Sequence, residues 1–295
     1  MDKEFSKNVV SQKDLDLIYQ VFSNHPKRSA LEDPSDLEFK KLPNMIDLKK
    51  WNNFSETINI IFGDSHAEFL GRFFKKVTNE MTDNQAINRT YCFWTGGTTL
   101  IGSVQSVNYY NNVLRSLTII LEGLCKKFLF KKLNIIISLG EIDIRTKLFI
   151  ECRNEKIDYQ EVISKYCDHQ LVERFNLLRM GLNGLFPNLE TKIYFKSPPP
   201  PSSTLPVRTP ESYDELKLLL EKEGYPTFFE IEERKKHHAL LKGSIKRACL
   251  MSGIEFLKGF YKNEDSLNLE NSHDGAHISC GDWAMKNSRQ IFLDI

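Results

Sequence analysis

Apolar residues fall into short continuous runs separated by stretches with helical spacing. Thr57 to Phe62 is a β-branched apolar run that stops at Gly63. Ile87 to Trp94, Leu133 to Gly140, Thr191 to Phe195 and Gly253 to Leu257 are further runs of this kind, bounded by Gly, Pro or polar turn residues. Runs this apolar predict strands covered on both faces. Between them, helical patterns cover His66 to about Val77, Val107 to Phe128, Tyr159 to Leu185, Ser212 to Glu223, Phe229 to Met251 and Ser279 to Phe292. The alternation predicts an α/β fold, a three-layer α/β/α sandwich on a five-stranded parallel, flavodoxin-like sheet. Each unusual loop follows a strand: Gly63–His66, Thr95–Thr99, Gly140–Arg145, Ser197–Ser203 and Asn271–Ser279. Open parallel sheets bind ligands outside the carboxyl ends of their strands, so these loops are where a site is expected.

Residues 1–56 have another character. Asp14 to Phe22 has a helical pattern, but Pro26, Pro34 and Pro43 punctuate a polar stretch with too few apolar residues to fold alone. This segment is read as an N-terminal extension packing on a main domain of residues 57–295. Net charge is +1, with both signs interspersed and no basic stripe, so no nucleic-acid partner is expected. The start of the chain lacks a secretory layout. The longest apolar runs, such as Leu133 to Leu139, fall far short of the roughly 20 residues that span a bilayer, so no membrane partner is expected. Cys92, Cys125, Cys152, Cys167, Cys249 and Cys280 include no C-x-x-C pair and read as reduced thiols of a cytoplasmic protein.

The candidate chemistry lies in the strand-end loops. Ser65 follows Gly63-Asp64 where a strand gives way to a helix, so helix N–H groups lie beside its hydroxyl. Such amides can receive the negative charge that develops on an attacked carbonyl. Asp274-Gly275-Ala276-His277 supplies a carboxylate and an imidazole near the C-terminus. Gly63-Asp64-Ser65, Gly96-Gly97-Thr98-Thr99, Gly140-Glu141-Ile142-Asp143 with Arg145, and Asp274-x-x-His277 occur in that order, each after its own strand. Together they resemble the SGNH/GDSL hydrolase superfamily, in a bacterial-type subgroup with a Gly-Glu-Ile-Asp third block, over residue 57 to the C-terminus.

The resemblance implies Ser65 as nucleophile, His277 as the base that later returns the proton, and Asp274 as the group orienting His277. It implies an oxyanion hole from the backbone N–H groups of Ser65 and Gly96, with Gly97 as the fallback. No metal and no organic cofactor are expected. One departure stands out: the family's third block carries an asparagine donor where this chain has Ile142. Losing such a donor costs about 3 kcal/mol of transition-state stabilisation. Arg145 is the expected replacement, held by Asp143 or Glu141, and these three residues are read as substrate-binding.

Other features read more plainly. His273 and His277 are separated by Gly275 and do not form a metal pair. His66 is expected to point along the helix start, and His237-His238 beside Lys235-Lys236 to be solvated. The glycine–threonine cluster lacks the Lys-Ser/Thr of a nucleotide loop. Pro198 to Pro201 is a stiff wall after the fourth strand, and Trp94 and Trp283 read as core residues. The expected function is a serine esterase acting on a small-molecule or glycan acyl ester, with O-acetyl carbohydrate suggested by family analogy. An acyltransferase to a sugar hydroxyl and a catalytically silent binding module are the alternatives.

Overall fold

A computed structural model describes residues 57–64, 66–67, 70, 88–94, 98–106, 108–125, 130–201, 218, 221–222, 224, 227–228, 230–258, 290–292 and 295. Ser65, Gly96, Gly97, Asp274 and His277 lie outside these residues, as do the N-terminal extension and most of the expected helices at 66–77, 212–223 and 279–292.

The fold is α/β with a parallel sheet. Strands β1 (Thr57–Gly63), β2 (Asn88–Trp94), β3 (Lys132–Ser138) and β4 (Glu190–Lys196) have seven residues each, and β5 (Glu255–Leu257) adds three at the β4 edge. The order across the sheet is β2-β1-β3-β4-β5. Every residue of β1 is buried, which is why its sequence reads as an unbroken apolar run. A polar pair inside the sheet is matched across register: Asn134 Nδ2 donates to Asn59 Oδ1 (2.8 Å) and to the Ile295 carbonyl (3.1 Å). Those bonds tie the last residue of the chain to the middle of the sheet.

The helices are α1 (Leu100–Gln105), α2 (Tyr109–Cys125), α3 (Leu148–Glu155), α4 (Tyr159–Ile163), α5 (Leu171–Leu185) and α6 (Ile231–Ser252). The sequence pattern predicts a helix from Val107, but an additional short helix, α1, starts directly after the threonine pair. The expected Tyr159–Leu185 helix is interrupted by a π-helical stretch, Ser164–Gln170, between α4 and α5. A larger correction concerns Gly140–Arg145. These residues are not a loop: the chain turns helical at Glu141 and continues through a π turn (Asp143–Lys147) into α3.

The core packs sheet residues such as Ile60, Phe62, Ile135 and Phe195 against Leu117, Phe175, Leu178, Leu241 and Ile245 from the helices. Each fully buried aliphatic or aromatic side chain contributes about 1.5–3 kcal/mol relative to exposure. Cys152, Cys167 and Cys249 are free and buried, and burial pushes the Cys152 and Cys249 thiols up to about 12. No helix among the described residues is long and apolar enough to cross a membrane.

Candidate active site

At the carboxyl edge of the sheet, β1, β3 and β4 end in a row of Gly63, Ser138 and Lys196. Gly63 pairs with Ser138 in register and has φ +155°. A Cβ built there would lie 1.8 Å from the Ser138 carbonyl oxygen, so only glycine fits. The same carbonyl accepts a hydrogen bond from Asp64 N–H at 3.1 Å. Asp64 then starts a helix: its Oδ1 accepts from His66 N–H (2.9 Å) and its carbonyl from Ala67 N–H (3.0 Å). This is side-chain capping, which satisfies an N–H that the first helical turn leaves without a partner. His66 is buried, with Nδ1 3.4 Å from Asp64 Oδ1, so it faces back to the β1 exit rather than along the helix. Asp64 Oδ2 is buried, with no hydrogen-bond partner among the described residues.

The exit of β3 is also fixed by a glycine. Gly140 has φ +112°, and a Cβ there would sit 3.2 Å from the Pro198 side chain. Two carboxylates lie beyond it on one helical start and part ways. Asp143 is fully buried and reaches the start of α1: Oδ2 accepts from Leu100 N–H (2.6 Å) and Oδ1 from Ile101 N–H (2.9 Å). Thr99 Oγ1 takes the next amide, Gly102 N–H, at 2.8 Å. Burial pushes the Asp143 carboxyl up to about 7, while the Ile101 and Leu100 amides pull it back. Two donors on two oxygens are the geometry of an ionised carboxylate, and we read it so. Asp143 is therefore a structural cap that neither holds Arg145 nor is open to a substrate.

Glu141 is the carboxylate that holds Arg145, with Arg145 Nε 3.3 Å from Glu141 Oε1. The two are four residues apart on the same helical face. The guanidinium is about a third exposed, 34%. Ile142, at the family's donor position, is half-buried.

Three residues at this edge escaped the sequence reading. Lys196 ends β4 and is buried, with Nζ 3.3 Å from Ser138 Oγ. Burial pulls its ammonium down to about 8, and the charges of Asp64 and Glu141 pull it back up. Arg234 on α6 is buried and feels the Glu141 carboxylate; burial lowers its pKa. His238, one turn further on, donates from Nε2 to the Pro198 carbonyl (3.2 Å), because a carbonyl can only accept. It pins the Pro198–Pro201 segment, which is buried. The expectation that His237-His238 are solvated is wrong. His237 is fully buried between Tyr159 and Phe228, with ring centroids 4.2 and 4.5 Å away, and burial depresses its pKa to about 4. The missed signal is spacing: Arg234, His238, Leu241, Ile245 and Cys249 recur at helical intervals along one buried face of α6.

The β1, β3 and β4 exits thus converge on a polar cluster of the buried Asp64, Ser138, Lys196 and Arg234 with the partly buried Glu141. Isolated buried charges cost several kcal/mol each, so opposite charges gathered here stabilise one another. Such a cluster can orient a reacting group and polarise a bound ester. No protein-family model matches the chain, and no curated protein matches it in sequence.

Proposed function

We propose that this protein is a serine esterase of the SGNH/GDSL type, with Ser65 as nucleophile, His277 as general base and Asp274 orienting it. The observation that carries this reading is the way the ordered sequence blocks are tied together. Asp143 of the third block caps the helix that opens directly after Gly96-Gly97-Thr98-Thr99. Asp64 of the first block hangs from the carbonyl of Ser138, two residues before the third block begins. The described residues of these blocks, Asp64, Thr99 and Asp143, therefore lie at one sheet edge, which supports a shared site there. The strand order β2-β1-β3-β4-β5 adds support, being the flavodoxin-like order, and favours a three-layer sandwich with its site at this edge.

In this mechanism the Ser65 hydroxyl loses its proton to His277 and attacks the acyl carbon. The N–H groups of Ser65 and Gly96 take the oxyanion's charge, and the leaving alcohol receives the proton back from His277. Water then releases the acyl group from Ser65. Arg145, held by Glu141, supplies the donor that Ile142 lacks. No metal or cofactor takes part. The substrate class is a small acyl ester, with O-acetyl carbohydrate resting on analogy alone.

A fluorophosphonate is expected to label the protein at Ser65, and labelling is expected to vanish in Ser65→Ala and His277→Ala. Absence of label in the parent protein rejects both enzymatic readings and leaves the silent binding module, which Ile142 favours. Acetate release with and without a sugar acceptor separates hydrolase from acyltransferase. Arg145→Ala is expected to slow ester turnover roughly 100-fold, as loss of an oxyanion donor does; unchanged turnover removes Arg145 from the mechanism.

A further inference from the structure

We infer that Lys196 is a positioning residue for the Ser65 centre, fixing through Ser138, Asp64 and Glu141 the strand exits on which the reaction depends. This rests on the esterase reading above. Ser138 is the shared anchor. Its hydroxyl meets Lys196 Nζ at 3.3 Å, and its carbonyl takes Asp64 N–H at 3.1 Å. Both bonds are buried, with Asp64, Ser138 and Lys196 all at most 2% exposed. Asp64 in turn caps the helix start by accepting from His66 N–H.

The charges explain why a lysine is needed. Asp64 has one buried carboxylate oxygen, Oδ2, with no hydrogen-bond partner among the described residues. It also stands in the field of a second buried carboxylate, Asp143. Two such groups repel unless a cation lies between them and their surroundings. Lys196 supplies a cation from β4, and the charges of Asp64 and Glu141 both act on its ammonium. Among the described residues, the other titratable or charged groups facing this set are His66 beside Asp64, Arg145 and Arg234 near Glu141, and Lys147, whose charge acts on Asp143. The arginines lie with Glu141, whereas Lys196 is, among the described residues, the lysine on which the Asp64 charge acts. Its own site lowers its pKa to about 8, so the positioning charge is lost over an accessible pH range.

The test is the second-order rate of fluorophosphonate labelling against pH, followed alongside thermal stability. In the parent protein, labelling is expected to fall at least about tenfold between pH 7.5 and 9.5 as Lys196 loses its proton. Stability is expected to rise over the same interval, because the buried charge disappears. A group that merely props up the fold moves both readouts together. Lys196→Arg keeps its charge and is expected to hold its rate to pH 9.5, whereas Lys196→Met is expected to lose at least about tenfold at pH 7.

Parent-like labelling in Lys196→Met, or the same alkaline fall in Lys196→Arg, overturns the inference. Where Lys196→Arg does not fold, ¹³C-lysine NMR decides: a Lys196 titration midpoint lowered by Asp64→Asn supports the coupling, and an unmoved midpoint overturns it. A parent protein that takes no label refutes the serine reading instead, and the NMR midpoint alone then decides the role of Lys196.

Discussion

The two flanks of the β3 exit hold their carboxylates in opposite ways. Toward β2, Asp143 is fastened by the Leu100 and Ile101 backbone amides. Toward β4, Glu141 stands among side-chain cations, with Arg145 at 3.3 Å and Arg234 and Lys196 within electrostatic reach. Backbone amides neither titrate nor swing away, so the first flank is a fixed joint. The second is built of side-chain charges, of which Lys196 titrates at about 8, and it is the flank on which chemistry can draw. Carboxylates two residues apart on one helical start thus serve separate ends.

The severest challenge to this contrast is Asp143→Ala. It leaves two buried amides without acceptors and is expected to cost about 3 kcal/mol of stability in chemical denaturation. A loss under about 0.5 kcal/mol would show that α1 does not depend on this joint. The ionic flank should instead reveal itself through protons. In the unfolded chain Lys196 titrates near 10.5, but in the folded protein at about 8. Between those values the unfolded chain binds more protons, so stability rises with pH, by an amount on the order of 3 kcal/mol at most. Lys196→Met is expected to flatten that rise, read as urea midpoints across alkaline pH.

His237 on the same flank gives a smaller acid-side effect. Its pKa falls from 6.5 unfolded to about 4 folded, so its contribution is complete above pH 6.5 and drains away as pH drops through 4. His237→Phe is expected to gain about 2 kcal/mol over the parent near pH 4.5 and little at pH 7, measured by thermal unfolding at both. The smallest effect belongs to Glu141→Gln. This half-open pair is expected to lose no more than about 1 kcal/mol of stability while labelling of Ser65 declines. A large loss of stability would make Glu141 a joint like Asp143 and erase the distinction between the flanks.

The strands were readable because burial on both faces leaves little but Ile, Val, Leu and Phe, as in β1 and β3. Gly63 and Gly140 were visible as turns, although the reason only glycine fits is a carbonyl and a proline ring from other strands. The edge cluster was half legible. Asp64, Glu141, Asp143 and Arg145 stood out beside glycines, yet which carboxylate meets which partner depends on helical phase, and Gly140–Arg145 read as a loop. Lys196 was hidden because one lysine at a strand end resembles any solvated lysine. His237 and His238 were masked by the lysines before them, whose charges mark a neighbouring exposed stripe rather than the buried one. Ser65, Gly96, Asp274 and His277 were singled out from sequence alone, and the proposed labelling addresses Ser65 and His277 directly.

The π-helical stretch Ser164–Gln170 has a mechanical implication. Each residue of an α-helix advances the chain about 100° around the axis, and a π turn accommodates an additional residue without rotating the helix beyond it. Were the same residues, the additional one included, wound as ordinary α-helix instead, all of α5 would turn by about 100°. Leu171, Phe175, Leu178 and Leu182, now entirely hidden, would swing toward water together. The bulge is the phase adjustment that lets two helical stripes share one core.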